Sequence, residues 1–286
     1  MRYESPESTE AAVALLAGEA GLARVLAGGT DLLVQLRSGR QEPDLVVDVK
    51  RIASMRTITE EAGGYRIGAA VPSAELNEHP GVKTLWPGVV EAAELIGSTQ
   101  IQGRATIVGN LCNASPAADS VPALVAADAV ARVVGPDGPR DLPVADVAVA
   151  PGQTSLAKGE LVESVFLPAR PAHASDAYLR FIPRTEMDIA VVGAGVSLVL
   201  DDGGACTDAR VALGAVAERV LLVAEAADAL IGTAVDEAAL DALAQAASAA
   251  CRPIDDKRGT KEFRIQVAGV LARRAAAIAY ERARAN

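Results

Sequence analysis

The sequence predicts an α+β protein built as two domains. Three observations point there. The first third alternates helix and strand signals in the order helix, strand, turn, helix, strand, which is the pattern of a small parallel βαβ unit. A stretch of prolines and small residues, PARPAHAS (168–175), separates two composition regimes. Beyond it, three strand-like runs, two of them flanking an Asp-Asp-Gly-Gly turn, give way to long segments with apolar residues at helical spacing. The expected boundaries are 1–170 for the first domain, divided into a parallel part (1–55) and an antiparallel part (56–170), and 175–286 for the second.

Each element has a local cause. Ser8 is a helix cap before Ala11, Val13, Leu15 and Leu16, with Gly18 near the stop. Arg24 to Ala27 reads as a short buried strand that runs into Gly28-Gly29-Thr30-Asp31. Thr30 is then placed to cap a second helix, DLLVQLRS, which Gly39 ends. Asp44 to Val49 is a second strand, and Tyr65 to Ala70 a third. Pro72-Ser73 opens a short helix, and Leu85 to Leu95 looks helical. From Ile96 to Ala118 the chain is loop-like, and Ser115-Pro116 is expected to start a helix that runs through Ala126. AVARVV, GPDG and RDLPV form a hairpin pattern, and Glu160 to Leu167 is a strand closed by Pro168. In the second domain the three strands are AYLRFIP, IAVVGAGVSLVL and ARVALGAV, expected as a three-stranded antiparallel sheet. VAEAADALIG, EAALDALAQAASAAC and FRIQVAGVLARRAAAIAYERARA supply a helical bundle against it.

Composition narrows the function. Half of the residues are hydrophobic and 22% are charged, as in a globular protein. The net charge of −10 repels phosphate backbones, and 3% aromatic residues leave few stacking platforms, so a nucleic-acid partner is not expected. Three cysteines cannot supply the four thiolates of an iron–sulfur cluster, and two histidines leave little for a multi-histidine metal site. The longest apolar run, Ile189 to Leu200, is too short to span a bilayer. The acidic start lacks the marks of a signal peptide, and the scattered cysteines suit reduced thiols, so a cytoplasmic location is expected.

Two glycine-bearing turns carry the chemical information. Ala27-Gly28-Gly29-Thr30-Asp31 stands between a strand and a helix, where glycine permits positive φ and close approach, and free N–H groups favour an anion. Thr106-Ile107-Val108-Gly109-Asn110 offers a second small-residue turn with a hydroxyl and an amide, followed by Ser115 and Asp119. Alone, each is an ordinary turn. Together they describe two donor loops able to grip one diphosphate from opposite sides. Neither the GxGxxG fingerprint nor the GxxxxGK[ST] loop is present, which argues against an ordinary nicotinamide dehydrogenase or a P-loop ATPase.

AGGTDLLVQLRSG, GSTQIQGRATIVGNLCNASPAADSVPAL and RFIPRTEMDIAVVGAGVSL resemble the FAD-binding medium subunit of molybdenum hydroxylases, the family of carbon monoxide dehydrogenase and xanthine dehydrogenase flavoprotein subunits. The resemblance implies a two-subdomain FAD-binding domain of the vanillyl-alcohol-oxidase (PCMH-like) type, followed by a C-terminal flavoprotein domain. It implies non-covalent FAD, with Val25, Leu26, Ala27, Gly28, Gly29, Thr30, Asp31 and Leu32 as the first loop and Ala105, Thr106, Ile107, Val108, Gly109 and Asn110 as the second. Asp119 matches an FAD-contacting aspartate, Leu161 a residue packed by the flavin, and Arg180 a position where relatives often carry lysine near the ring.

Two departures stand out. Val108 replaces a family glycine, so the loop must have ordinary φ there or be re-aimed. Ile96 stands where some relatives place an aromatic ring, so stacking is lost.

Function follows by the same resemblance. Substrate is oxidised at a molybdopterin cofactor on a large partner subunit, electrons pass through two-iron two-sulfur clusters on a small one, and FAD on this chain hands them to an acceptor. Two alternatives remain: a self-sufficient FAD-dependent reductase similar to UDP-N-acetylenolpyruvoylglucosamine reductase, and a flavin-free scaffold subunit. Arg184, Glu186 and Asp188, close to Arg180, are expected to line the flavin mouth or a subunit contact.

Overall fold

The computed structural model describes residues 1–286. The chain opens with a three-stranded parallel sheet of order β1-β3-β2: β1 is Arg2–Glu4, β2 is Ala23–Leu26 and β3 is Leu45–Asp48. Helix α1 (Thr9–Gly18) joins β1 to β2, and Ser8 caps it by accepting the Ala11 N–H at 3.2 Å. Strand β1 was not anticipated, because three half-exposed residues carry no buried run. Helix α2 (Leu32–Arg37) joins β2 to β3 and begins at Asp31 rather than at a Thr30 cap. No side-chain cap closes its start, and none of its residues is buried.

A five-stranded antiparallel sheet follows, of order β4-β5-β10-β6-β7. Its strands are β4 (Ile58–Glu61), β5 (Gly64–Gly68), β6 (Val130–Gly135) and β7 (Gly138–Pro143), with β10 (Leu161–Leu167) at the centre. The apolar run of β10 fits a strand with neighbours on both edges. A small ribbon of β8 (Ala148–Ala150) and β9 (Gln153–Thr154) stands apart.

Between β5 and β6 lie six short helices: α3 (Ser73–Glu78), α4 (Pro80–Leu85), α5 (Pro87–Glu94), α6 (Thr99–Gln102), α7 (Ile107–Cys112) and α8 (Val121–Ala126). Three expectations are corrected here. The helix expected over 85–95 starts at Pro87, because Trp86 leaves helical geometry and separates α4 from α5. The loop-like stretch from Ile96 to Ala118 contains α6 and α7. Ser115-Pro116 does not start a helix. Ser115 accepts the Ala117 N–H through its side chain and the Ala118 N–H through its carbonyl, a single turn, and α8 begins at Val121 behind Ser120.

The last part is a sheet of order β11-β12-β13-β14, covered by helices. Strands β11 (Ala174–Phe181), β12 (Val192–Leu200) and β13 (Cys206–Gly214) are the anticipated three; the two-residue β14 (Leu221–Leu222) makes a fourth. Helices α9 (Ala224–Asp228) and α11 (Lys261–Ala285) pack on this sheet, and α10 (Glu237–Ala250) packs on both of them. Ala268, Ala272, Ala275, Ala276, Ala279 and Ala283 of α11 are all buried, so a smooth alanine stripe lets the helix lie close to β11 and β12. One buried apolar cluster fills the first part of the chain and a second fills the last. No helix is long and apolar enough to cross a membrane.

A buried polar clasp joins the two clusters. The Arg170 guanidinium lies over the Trp86 ring, 4.0 Å from its centroid, and donates to Asp176 at 2.9 Å and to Ser197 Oγ at 3.1 Å. The Trp86 indole N–H donates to the Pro168 carbonyl at 2.9 Å. Desolvation pushes the Asp176 carboxyl up to about 6, even against Arg170.

Candidate cofactor cleft

The parallel sheet and the antiparallel sheet leave a cleft of about 650 Å³ between them. That volume falls in the ordinary range for cofactor sites, roughly 300–1,000 Å³. The end of β2, the start of α2, the segment from Ala105 to Asn113, and the start of β10 form its walls. Of the sequence-derived candidates, Val25, Ala27, Gly28, Gly29, Thr30, Asp31, Leu32, Ile96, Ala105, Thr106, Val108, Gly109, Asn110 and Leu161 come together there. Leu26 and Ile107 point instead into buried apolar surroundings, Ser115 serves its own turn, and Asp119 and Arg180 stand outside the cleft walls.

The two glycines in the first loop have different reasons. Gly29 takes φ +78°, and a side chain there would also meet Leu26 Cδ1 at 2.8 Å. Gly28 has no such φ. A Cβ at Gly28 would collide with the Arg104 carbonyl, so its role is to let the first loop touch the backbone that begins the second. The Ala27 carbonyl is held by Lys50 Nζ at 3.1 Å, and that ammonium is fixed by Asp48 at 2.7 Å. Gln35 of α2 donates to Asn113 Oδ1 at 3.1 Å, a second strap between the loops.

The backbone donors decide the chemistry. The N–H groups of Gly28, Gly29, Thr30 and Asp31 have no acceptor in the protein. Across the cleft, Thr106 Oγ1 accepts the Gly109 N–H at 2.9 Å, while the amides of Thr106, Ile107 and Val108 also lack an acceptor. Unsatisfied amides at two adjoining loop-to-helix junctions make an anion cradle. Val108 is inside α7 with no positive φ, so the side chain that replaces a glycine is absorbed by ordinary helical geometry, and it packs into the core.

Several lining residues carried no signal in the sequence. Arg24 and Lys158 are the cations of the lining set, with Arg24 steadied by Gln41 at 3.2 Å. Thr154 ends β9 of the ribbon, and Gly159 follows it in the loop that leads to β10. An exposed lysine in a loop looks like any solvated charge until the fold brings it to a wall. Cys112 also borders the cleft, but desolvation pushes its thiol up to about 12, so it stays protonated and is a poor nucleophile. The segment from Arg184 to Asp188 lies outside the walls. There Arg184 bonds Asp188 at 3.2 Å, and Arg258 bonds the same carboxylate at 2.8 Å.

Behind the inner wall, Arg180 and Asp119 pair at 3.0 Å, each side chain nearly buried. Desolvation pushes the Asp119 carboxyl up to about 6, and the neighbouring guanidinium opposes that rise.

Comparison with known proteins identifies relatives of both parts of the chain. Residues 1–170 match the family described as the FAD binding domain in molybdopterin dehydrogenase, and residues 177–279 match the CO dehydrogenase flavoprotein C-terminal domain. The chain is 33% identical to the carbon monoxide dehydrogenase medium chain of Afipia carboxidovorans, over 99% of this chain and 97% of that one. It is 30% identical to the xanthine dehydrogenase FAD-binding subunit of Escherichia coli, over 86% and 84% of the two chains. Among solved structures, reconstituted CO dehydrogenase from Oligotropha carboxidovorans superposes with a TM-score of 0.94 at 33% identity, covering 99% of this chain and 98% of that one.

Proposed function

The chain belongs to the family of FAD-binding subunits of molybdopterin dehydrogenases, and from that premise we propose what its cleft does. It is an electron-transfer flavoprotein subunit of a heteromeric molybdenum hydroxylase. A large subunit carries the molybdenum cofactor, a small one the two-iron two-sulfur clusters, and this chain the FAD. Bound FAD supplies the redox chemistry, collecting electrons and delivering them as a pair. The protein supplies placement and electrostatics.

The observation that carries the reading is the double set of unsatisfied amides. Gly28 to Asp31 and Thr106 to Val108 would hold the diphosphate of FAD from two sides. Lys158 and Arg24 add positive charge near it, and Ile96 and Leu161 give the apolar walls a flat ring system needs. We take 1–170 as the cofactor-binding unit and 175–286 as the unit that backs it. We place the subunit in the cytoplasm on its three free thiols.

The test is a titration of the flavin-free chain with FAD and with riboflavin, followed by flavin fluorescence. A diphosphate cradle binds one FAD per chain and discriminates against riboflavin by at least 100-fold, roughly 2.7 kcal/mol. Equal binding of the two would overturn the assignment.

A further inference from the structure

One side chain from the second domain holds two places on the inner wall of the cleft. Arg180 lies on β11, paired with Gly193 of β12, and its guanidinium is only 4% exposed. Its Nη1 donates to the Leu95 carbonyl at 2.7 Å and to Asp119 Oδ1 at 3.0 Å. Leu95 is one residue from a cleft contact, and Asp119 is one residue from a side chain that holds another. Leu95 precedes Ile96, which lines the cleft. Asp119 precedes Ser120, whose N–H and hydroxyl donate to Asn110 Oδ1 at 3.0 and 2.7 Å, and Asn110 lines the cleft as well.

We propose that Arg180 is a positioning residue for the cleft, through which the second domain sets the spacing of Ile96 and Asn110. The inference rests on the reading of the cleft as the FAD site. Other ties from the same domain reinforce it. The Ala215 N–H donates to the Pro116 carbonyl at 2.7 Å, and the Tyr178 N–H to Glu91 at 3.0 Å. Gly195 and Gly214 leave space for the backbone and ring of Pro122, so β12 and β13 lie directly against the segment that follows Asp119. The nearby Tyr178 hydroxyl, buried and without a hydrogen-bond partner, leaves Arg180 as the group that pairs with Asp119 in the folded chain. Arg180 therefore has two separable effects. It neutralises a desolvated carboxylate, which is a matter of stability, and it ties Leu95 to Asp119, which is a matter of wall geometry.

The experiment separates the two in the full-length chain. Arg180→Ala lowers the melting temperature and weakens FAD binding about tenfold. Adding Asp119→Asn removes the unpaired charge, so the melting temperature returns most of the way while FAD binding stays weak. The visible spectrum of the residual bound flavin is expected to match that of the wild-type, because the guanidinium is committed to Leu95 and Asp119 behind the cleft wall. FAD affinity that recovers together with the melting temperature would make Arg180 merely structural and end the proposal. An altered flavin spectrum in Arg180→Ala would end it too, by showing direct contact. If the wild-type chain binds no FAD, the reading of the cleft fails before this one is reached.

Discussion

The two parts of the molecule solve opposite problems with similar small residues. In the first, glycines and short helices leave backbone groups open: at least seven amides around the cleft have no partner. In the second, alanines close every gap. The stripe on α11 is buried throughout, and the charge that enters this core is tied down, with the Arg264 guanidinium donating to the carbonyls of Val191 and Ala215 and to Asp256. The contrast teaches where binding capacity comes from. Open amides cost stability in isolation and recover it when an anion arrives. A close-packed body cannot bind that way, but it can hold a neighbouring surface in place.

The contrast can be broken most severely at Gly28. In Gly28→Val the added side chain meets the Arg104 carbonyl, and the two loops must separate. FAD binding should fall at least 100-fold and stability by about 3 kcal/mol, read by flavin fluorescence and urea denaturation. Tight FAD binding by this variant would show that the loop contact does not build the cradle.

A second prediction tests the clasp between the two parts. The Asp176 carboxyl rises from 3.8 to about 6 on folding. Between those values the folded chain holds a proton that the unfolded chain has released. The contribution of Asp176 is therefore fully present below about pH 4 and lost as pH rises through 6, a change of about 3 kcal/mol. Urea midpoints of wild-type and Asp176→Asn across pH 4–7 should diverge in that window. Parallel curves would place the titration elsewhere.

The smallest effect belongs to the closed body. Ala275→Leu overpacks α11 against the sheet and should cost about 2 kcal/mol in thermal or urea unfolding. FAD affinity should stay within twofold, because the substitution lies in the alanine stripe and not among the ties to the cleft wall. A large loss of affinity would mean that the second domain transmits strain more freely than its few polar ties to the first suggest.

The long strands β10 to β13 and the helices α1, α10 and α11 could be read from the chain, since each has its own apolar pattern, and α1 its own cap as well. The glycine pair at Gly28-Gly29 was also legible as a special backbone site. The short elements were not. Strand β1 exists because β3 offers it an edge, and α7 lies in a stretch whose composition resembles a loop. A six-residue helix has too few turns to show a period, and its stability comes from tertiary packing.

Sequence by itself determined the order of the longer elements and the two donor turns. These depend on residues close together in the chain, where backbone preference and side-chain spacing act directly. The tertiary structure alone decided that Gly28 serves a loop contact, that Lys158 reaches a cleft, and that Arg180 bonds Leu95 and Asp119. Those facts depend on which distant residues become neighbours, and burial then fixes the fate of each charge.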